Sequence, residues 1–438
     1  MGGTLANTTG HRLGLGQGTA LIVGAVLGPG VLALPHLAAA AAGPSSTVAW
    51  AALLALSVPV ALTFAALGAR HPDAGGVATF AARAFGPRTA AIAGLCFYAV
   101  VPVGVLAGAI IGADYTASAA GLGRPGAIAV TCALLLAAFA ANYGGLRVSG
   151  GVQLVLVALL AALLIAGILA AVPHLDGGNF TPFAPHGAFG VVHAAGVLFF
   201  AFAGWEAASH LSGDFADPRR LLPRATVLTL AIVGALYLGL AVAVTGVLGD
   251  RAASSPVPLA LLLDAGIGTD AARPVTAGAA LVLSFVAMNT YIAGGARLGT
   301  ALARDGVLPA PLARGRRSLA LLALATGAVT VPVLSTDLGL DPLMRTTAAC
   351  LAAVTLIGTA SATRLLAGRA RTLARSGALF TGVVLLSCGL YLAVPAALAL
   401  TVLGLRLGRT ARAQSTHPAA SGPLHRRALA GQVDTEAR

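Results

Sequence analysis

The chain has 438 residues, of which 58% are hydrophobic and only 9% charged. Soluble domains carry about 25% charged residues, so this composition excludes a soluble globular enzyme and describes a chain that crosses a bilayer many times. A formal charge of +13 suggests nucleic acid in a soluble protein. Here every one of the 27 basic residues is arginine, and their placement between apolar runs reads as membrane topology, with no nucleic-acid partner.

In chain order, residues 1–14 are polar and are expected to form a cytoplasmic N-terminus. The apolar run 15–42 is longer than the 7–15 residues of a signal-peptide core, so it is expected to stay as the first span. About 20 apolar residues cross a bilayer, and on that length twelve spans are expected. They cover roughly 15–42, 47–69, 89–113, 126–142, 150–172, 188–212, 225–248, 274–301, 318–335, 343–365, 374–390 and 392–408. The last two are short and flank a stretch with Pro395, so one kinked helix is the alternative. Residues 257–266 are too short to span and are expected to form a helix lying at the surface. Residues 409–438 are expected to be a disordered cytoplasmic tail. Cys96, Cys132, Cys350 and Cys388 all fall in apolar runs without a CxxC pair, and read as small core residues rather than disulfides or metal ligands.

With the N-terminus placed inside, the inner segments hold 23 arginines and the outer loops four, Arg124, Arg251, Arg273 and Arg345. That asymmetry obeys the positive-inside rule and predicts a plasma-membrane protein with both termini cytoplasmic.

Two spans are interrupted. Span one contains Gly28-Pro29-Gly30-Val31 with Pro35 beyond it. Glycine and proline suit a helix interior least, and open backbone at membrane depth is tolerated only where it is buried in protein or lines a cavity. Span six contains Phe202-Ala203-Gly204-Trp205-Glu206, with Glu206 the one acid placed at mid-membrane. The two spans are five apart, so a second five-span block runs opposite to the first. Interrupted spans at matching places in inverted halves point to a transporter site near the midplane.

These stretches resemble the amino acid–polyamine–organocation (APC) transporters. Gly28-Pro29-Gly30-Val31 with Leu34-Pro35 is similar to that family's span-one signature. Phe199 to Glu206, then Asp214 to Arg220 and Pro223-Arg224, resemble its span six and following loop. Arg70-His71-Pro72-Asp73 and Arg297 to Pro309 resemble the segments after spans two and eight. Within the family the chain most resembles bacterial methionine and branched-chain amino-acid exporters. The resemblance implies an all-α membrane fold, a five-plus-five inverted repeat over 15–172 and 188–365 with two further helices at 374–408, and a free amino acid as substrate.

The residues then take expected roles. A half-helix starting at the span-one break offers N–H groups and a positive dipole end to a carboxylate, from Gly28, Gly30 and Val31. Pro29 departs from the family's usual serine or threonine and removes one donor. Carbonyls of Phe202, Ala203 and Gly204 face the substrate ammonium. Phe97, Tyr98, Phe202, Trp205 and Asn289 are expected as walls, with an interhelical hydrogen bond the other reading of Asn289. An ionised carboxylate at the bilayer centre costs about 3 kcal/mol on insertion scales. That favours a protonated or paired Glu206, read as the proton-coupling group, or else as a cap on the broken helix. No arginine and no second acid falls in this set, which favours a neutral, apolar side chain on the substrate. Ser284 and Thr290 leave sodium open as a coupling ion. No cofactor is implied, and neither a metal cluster, a catalytic constellation nor a nucleotide-binding loop is present in the sequence, so the chain reads as a secondary exporter working by proton antiport. An uptake permease and a non-transporting amino-acid sensor are the competing readings.

Overall fold

The computed structural model describes residues 12–71, 76–145, 150–202, 204–267, 272–336 and 338–404. The expected tail at 409–438, Ala203 and the Pro72–Gly75 part of one motif lie outside the described residues. Within them the chain is all-α, and the one strand-like pairing is a parallel bridge between Leu13 and Phe215.

The first span breaks where the sequence dictates. Helix α1 (Leu15–Val26) stops at Leu27. Gly28 is extended (φ −88°, ψ 173°), as the residue before a proline is disposed to be. Pro29–Leu32 form a single 3-10 turn, and α2 (Leu34–Ala42) restarts with Pro35 in its first turn, where its missing N–H costs nothing. Gly43 at φ 60° turns the chain into α3 (Ser46–Arg70).

Short α4 (Gly76–Phe85) leads into α5 (Pro87–Ala120), the longest helix at 34 residues. Next come α6 (Arg124–Tyr143) and α7 (Gly150–Ala171). Span six is divided into α8 (Gly187–Phe202) and a four-residue α9 (Ala207–His210). Beyond it are α10 (Pro218–Leu248), α11 (Arg251–Ser254) and α12 (Pro258–Ile267), then α13 (Ala272–Arg304), α14 (Gly315–Thr336) and α15 (Asp341–Leu365). The described chain closes with α16 (Arg369–Ser387) and α17 (Ala393–Gly404).

Among the described residues, eight helices can cross a membrane by length and composition. The other expected spans are the two broken ones and the final pair, which bends by 114°. The core sits around α5: α13 and α15 pack along it, while α3 carries α8, α10 and α16.

Two placements differ from expectation. The helix α12 forms but does not lie at the surface. Leu259, Leu262 and Leu263 are buried against α7, α10 and α13, because its leucines are too apolar to leave in water and Gly167 on α7 gives them room. Arg345 is not a loop residue but a buried one within α15. Its Nε donates to Asp341 Oδ2 at 2.7 Å and Nη1 to the His193 carbonyl at 2.9 Å, which satisfies a cation that burial alone disfavours. The cysteines are free thiols, three buried and Cys132 half-buried.

Candidate functional site

Both breaks open on one cavity of about 520 Å³, within the 300–1,000 Å³ of small-molecule sites. Backbone from Gly24 to Val31 forms one wall. Ala201, Gly204 and Glu206 from the span-six break form another, and α5, α7, α13 and α15 complete it. The lining also includes Val77 and Ala78 of α4 and Gly94 of α5.

The span-one turn uses two of its expected donors internally. Gly28 N–H donates to the Val26 carbonyl at 3.0 Å and Val31 N–H to the Gly28 carbonyl at 3.3 Å. Of Gly28, Gly30 and Val31, only Gly30 N–H has no backbone acceptor among the described residues. The two glycines also differ in what they face. A Cβ on Gly28 meets nothing within 4 Å, whereas one on Gly30 collides with the Phe200 ring. Gly28 therefore borders open space, and Gly30 exists to let an aromatic side chain lie across the break.

The span-six break is held by Gly204 and Glu206. Gly204 adopts φ 120°, and a Cβ there lies 2.8 Å from the Ala25 carbonyl oxygen, so the breaks approach each other backbone to backbone. Glu206, 7% exposed, accepts the Gly204 N–H through Oε2 at 3.0 Å. Its carbonyl accepts from the Ser209 hydroxyl at 2.6 Å. The carboxylate thus caps the break, the second of the two sequence readings of Glu206, and it also lines the cavity. Among the described residues no arginine lines the cavity, and Glu206 is the single acid in its lining.

The expected walls divide. Phe97 lines the cavity, but Tyr98, Phe202, Trp205 and Asn289 do not. Phe97 and Tyr98 are adjacent on α5, and the helix turns the second ring away, toward Gly299 and Ser318. Phe202 joins Trp50 and Tyr237 in an aromatic cluster with centroids 5.1–6.0 Å apart. Trp205 is buried and its indole N–H has no partner. Asn289 Oδ1 accepts from Asn142 Nδ2 at 2.7 Å, the interhelical bond that was its other reading. Thr290 donates to its own helix at the Val286 carbonyl, 2.9 Å away, and the buried Ser284 hydroxyl beside Gly112 has no partner. No group of three or more His, Cys, Asp or Glu side chains among the described residues could hold a metal ion.

Sequence reasoning missed Tyr237. From α10 its hydroxyl lies 3.1 Å from the Val26 carbonyl and 3.3 Å from the Ala201 carbonyl, bridging the exposed ends of both breaks. A tyrosine inside an apolar run needs a polar partner for its tip, and that was the available signal. Tyr115 plays a related part beyond the cavity. Its hydroxyl donates to the Leu32 carbonyl at 2.9 Å and accepts the Leu259 N–H at 3.3 Å, tying the span-one turn to α12.

Residues 13–400 match the amino acid permease family. The chain is 31% identical over 293 residues to an uncharacterized amino acid permease, YecA, of Bacillus subtilis, covering 67% of this chain and 69% of the relative. It is 33% identical over 297 residues to the L-methionine/branched-chain amino acid exporter YjeH of Escherichia coli, covering 66% and 69%. The branched-chain amino acid permease BcaP of Bacillus subtilis is 28% identical, with 71% and 72% covered.

Proposed function

The chain belongs to the amino acid permease family and is a transporter rather than an enzyme, and on that premise we propose that it exports neutral, apolar L-amino acids of the methionine, leucine, isoleucine and valine class. The observation that carries this reading is the cavity at the joined breaks, which has no basic side chain and one acid. A charged substrate side chain needs an opposite charge in such surroundings, and none is offered beyond Glu206. The substrate carboxylate docks at the Gly30 N–H beside the open face of Gly28. The ammonium docks at the Glu206 carboxylate and the carbonyls of the span-six break.

The mechanism is alternating access with proton antiport. The substrate's different contacts in two states tip the equilibrium between them, and Glu206 exchanges a proton for the ammonium it faces. The cavity lining includes Val77 and Ala78 of α4, in the segment between spans two and three that the arginine count assigns to the inside, which supports an inward-facing state of a bacterial plasma-membrane protein with cytoplasmic termini, built as inverted halves over 15–172 and 188–365. The printed name of the E. coli relative, an exporter, favours efflux. That of BcaP, a permease, favours uptake as the second reading.

Proteoliposomes preloaded with methionine or leucine test the reading by counterflow against a panel of amino acids, with and without a proton gradient. Neutral apolar amino acids compete and an imposed gradient drives net flux. The Glu206→Gln variant keeps an acceptor for Gly204 N–H, still exchanges substrate and loses the response to the gradient. Failure of every neutral amino acid to compete overturns the substrate class; an unaltered pH response in Glu206→Gln overturns the coupling role.

A further inference from the structure

The chain contains three methionines, Met1, Met288 and Met344, and both internal ones line the cavity. Met288 projects from α13 and Met344 from α15, the two helices that pack along α5. Both are buried within the protein, at 2% and 0% exposure, so the cavity is where they meet space. Gly108 on α5 lies opposite Met288: a Cβ there sits 3.2 Å from the Met288 Cγ and 3.9 Å from its Sδ. The missing Cβ lets the thioether chain pack directly on the α5 backbone. The rest of the apolar lining is largely glycine, alanine and branched aliphatic side chains, whose shapes adjust little. Methionine is unbranched, has three rotatable side-chain bonds and is favoured at surfaces that accept several partners.

We propose that Met288 and Met344 determine substrate specificity by forming an adaptable part of the side-chain subsite, which lets one cavity accept both linear and branched apolar side chains. This rests on the neutral amino-acid reading above. The breadth comes from the flexible unbranched chain, not from sulfur, and the paucity of methionine elsewhere makes that distinction measurable.

The test is a counterflow panel of methionine, norleucine, leucine, isoleucine and valine in proteoliposomes, with three forms of the full chain. Volume-conserving Met288→Leu and Met344→Leu, singly and together, replace adaptable side chains with fixed branched ones. Biosynthetic replacement of methionine by norleucine alters only positions 1, 288 and 344 and keeps the flexible chain. A mismatch of one methylene in an apolar pocket is worth about tenfold or more. The leucine variants therefore widen the spread between best and worst substrate by about tenfold, while norleucine protein keeps the original spread. Thermal unfolding and monodispersity in detergent identify a variant that fails to fold, in which case the single variants carry the comparison. Leucine variants that fold and rank the panel as the unmodified chain does overturn the inference. So does norleucine protein whose spread widens as far as that of the leucine variants, since sulfur then matters. An unmodified chain that exchanges no neutral amino acid overturns the function reading and this inference with it.

Discussion

Three glycines at the breaks look alike in the sequence and do different things. Gly204 holds φ 120° against the Ala25 carbonyl. Any side chain there meets both backbone strain of about 1–3 kcal/mol and a collision with a carbonyl that cannot swing away. Gly204→Ala is expected to lower the unfolding temperature in detergent and to abolish transport. Gly28→Ala is the control: its φ of −88° is ordinary and its Cβ enters open space. Its stability is expected to stay within about 0.5 kcal/mol while the apparent affinity for substrate falls, since the new methyl occupies the cavity. Equal losses of stability in the two variants would contradict this division. The break in span one was legible because Gly28-Pro29-Gly30 cannot sustain a helix. The division of labour among its glycines was not, because it depends on Phe200 and Ala25 arriving from elsewhere.

Helices in this chain meet through single polar contacts set in long apolar surfaces. Tyr237 on α10 reaches the carbonyls of both breaks, and Asn142 on α6 reaches Asn289 on α13. A buried acceptor left without its donor costs about 1–3 kcal/mol. Tyr237→Phe keeps the ring in its cluster with Trp50 and Phe202 and removes only the hydroxyl. It is expected to lower stability by up to that amount and to reduce substrate exchange more strongly than Phe202→Leu, whose ring faces the cluster and not the cavity; thermal unfolding and counterflow on both variants check this. Periodicity and composition located the elements, since hydrocarbon demands long apolar helices. They did not pair Asn142 with Asn289, because nothing local to either residue marks a partner 147 positions away. The same gap placed Phe202, Trp205 and Tyr98 at the site: adjacent residues on a helix point about 100° apart, so proximity to a break in sequence does not place a side chain in the cavity.

Across the whole molecule, charge and apolar surface divide the labour. Exposed leucines such as Leu136, Leu324 and Leu386 suit a surface facing lipid, while the sequence assigns 23 of its 27 arginines to the inner segments. Single cysteines substituted at Gly315 and at Leu338, an exposed position past the other end of α14, in a chain whose four native thiols are replaced by serine or alanine, test the orientation. An impermeant thiol reagent is expected to label position 338 in intact cells and position 315 only in inside-out vesicles. The reverse pattern would invert the proposed topology. The proposed orientation rests on arginine positions in the sequence itself. The pairing of Arg345 with Asp341, four residues back on α15, is local, but its burial was hidden, because the His193 carbonyl reaches it only with α15 folded against α8.

The bridge between Leu13 and Phe215 has a mechanical meaning. Leu13 N–H donates to the Asp214 carbonyl at 2.8 Å and Ala216 N–H to the Leu13 carbonyl at 3.1 Å, while Phe215 seats against Gly18 one turn into α1. At its far end α1 is held by Tyr237. It is therefore a strut of 12 residues, about 18 Å long, clamped at one end to the segment after α9 and jointed at Gly28. Tilting the strut drags that segment along, so the two half-helices swing as a single lever. A bulky fusion placed directly before Leu13 would load that lever at its clamp, which makes the C-terminus the better place for a tag.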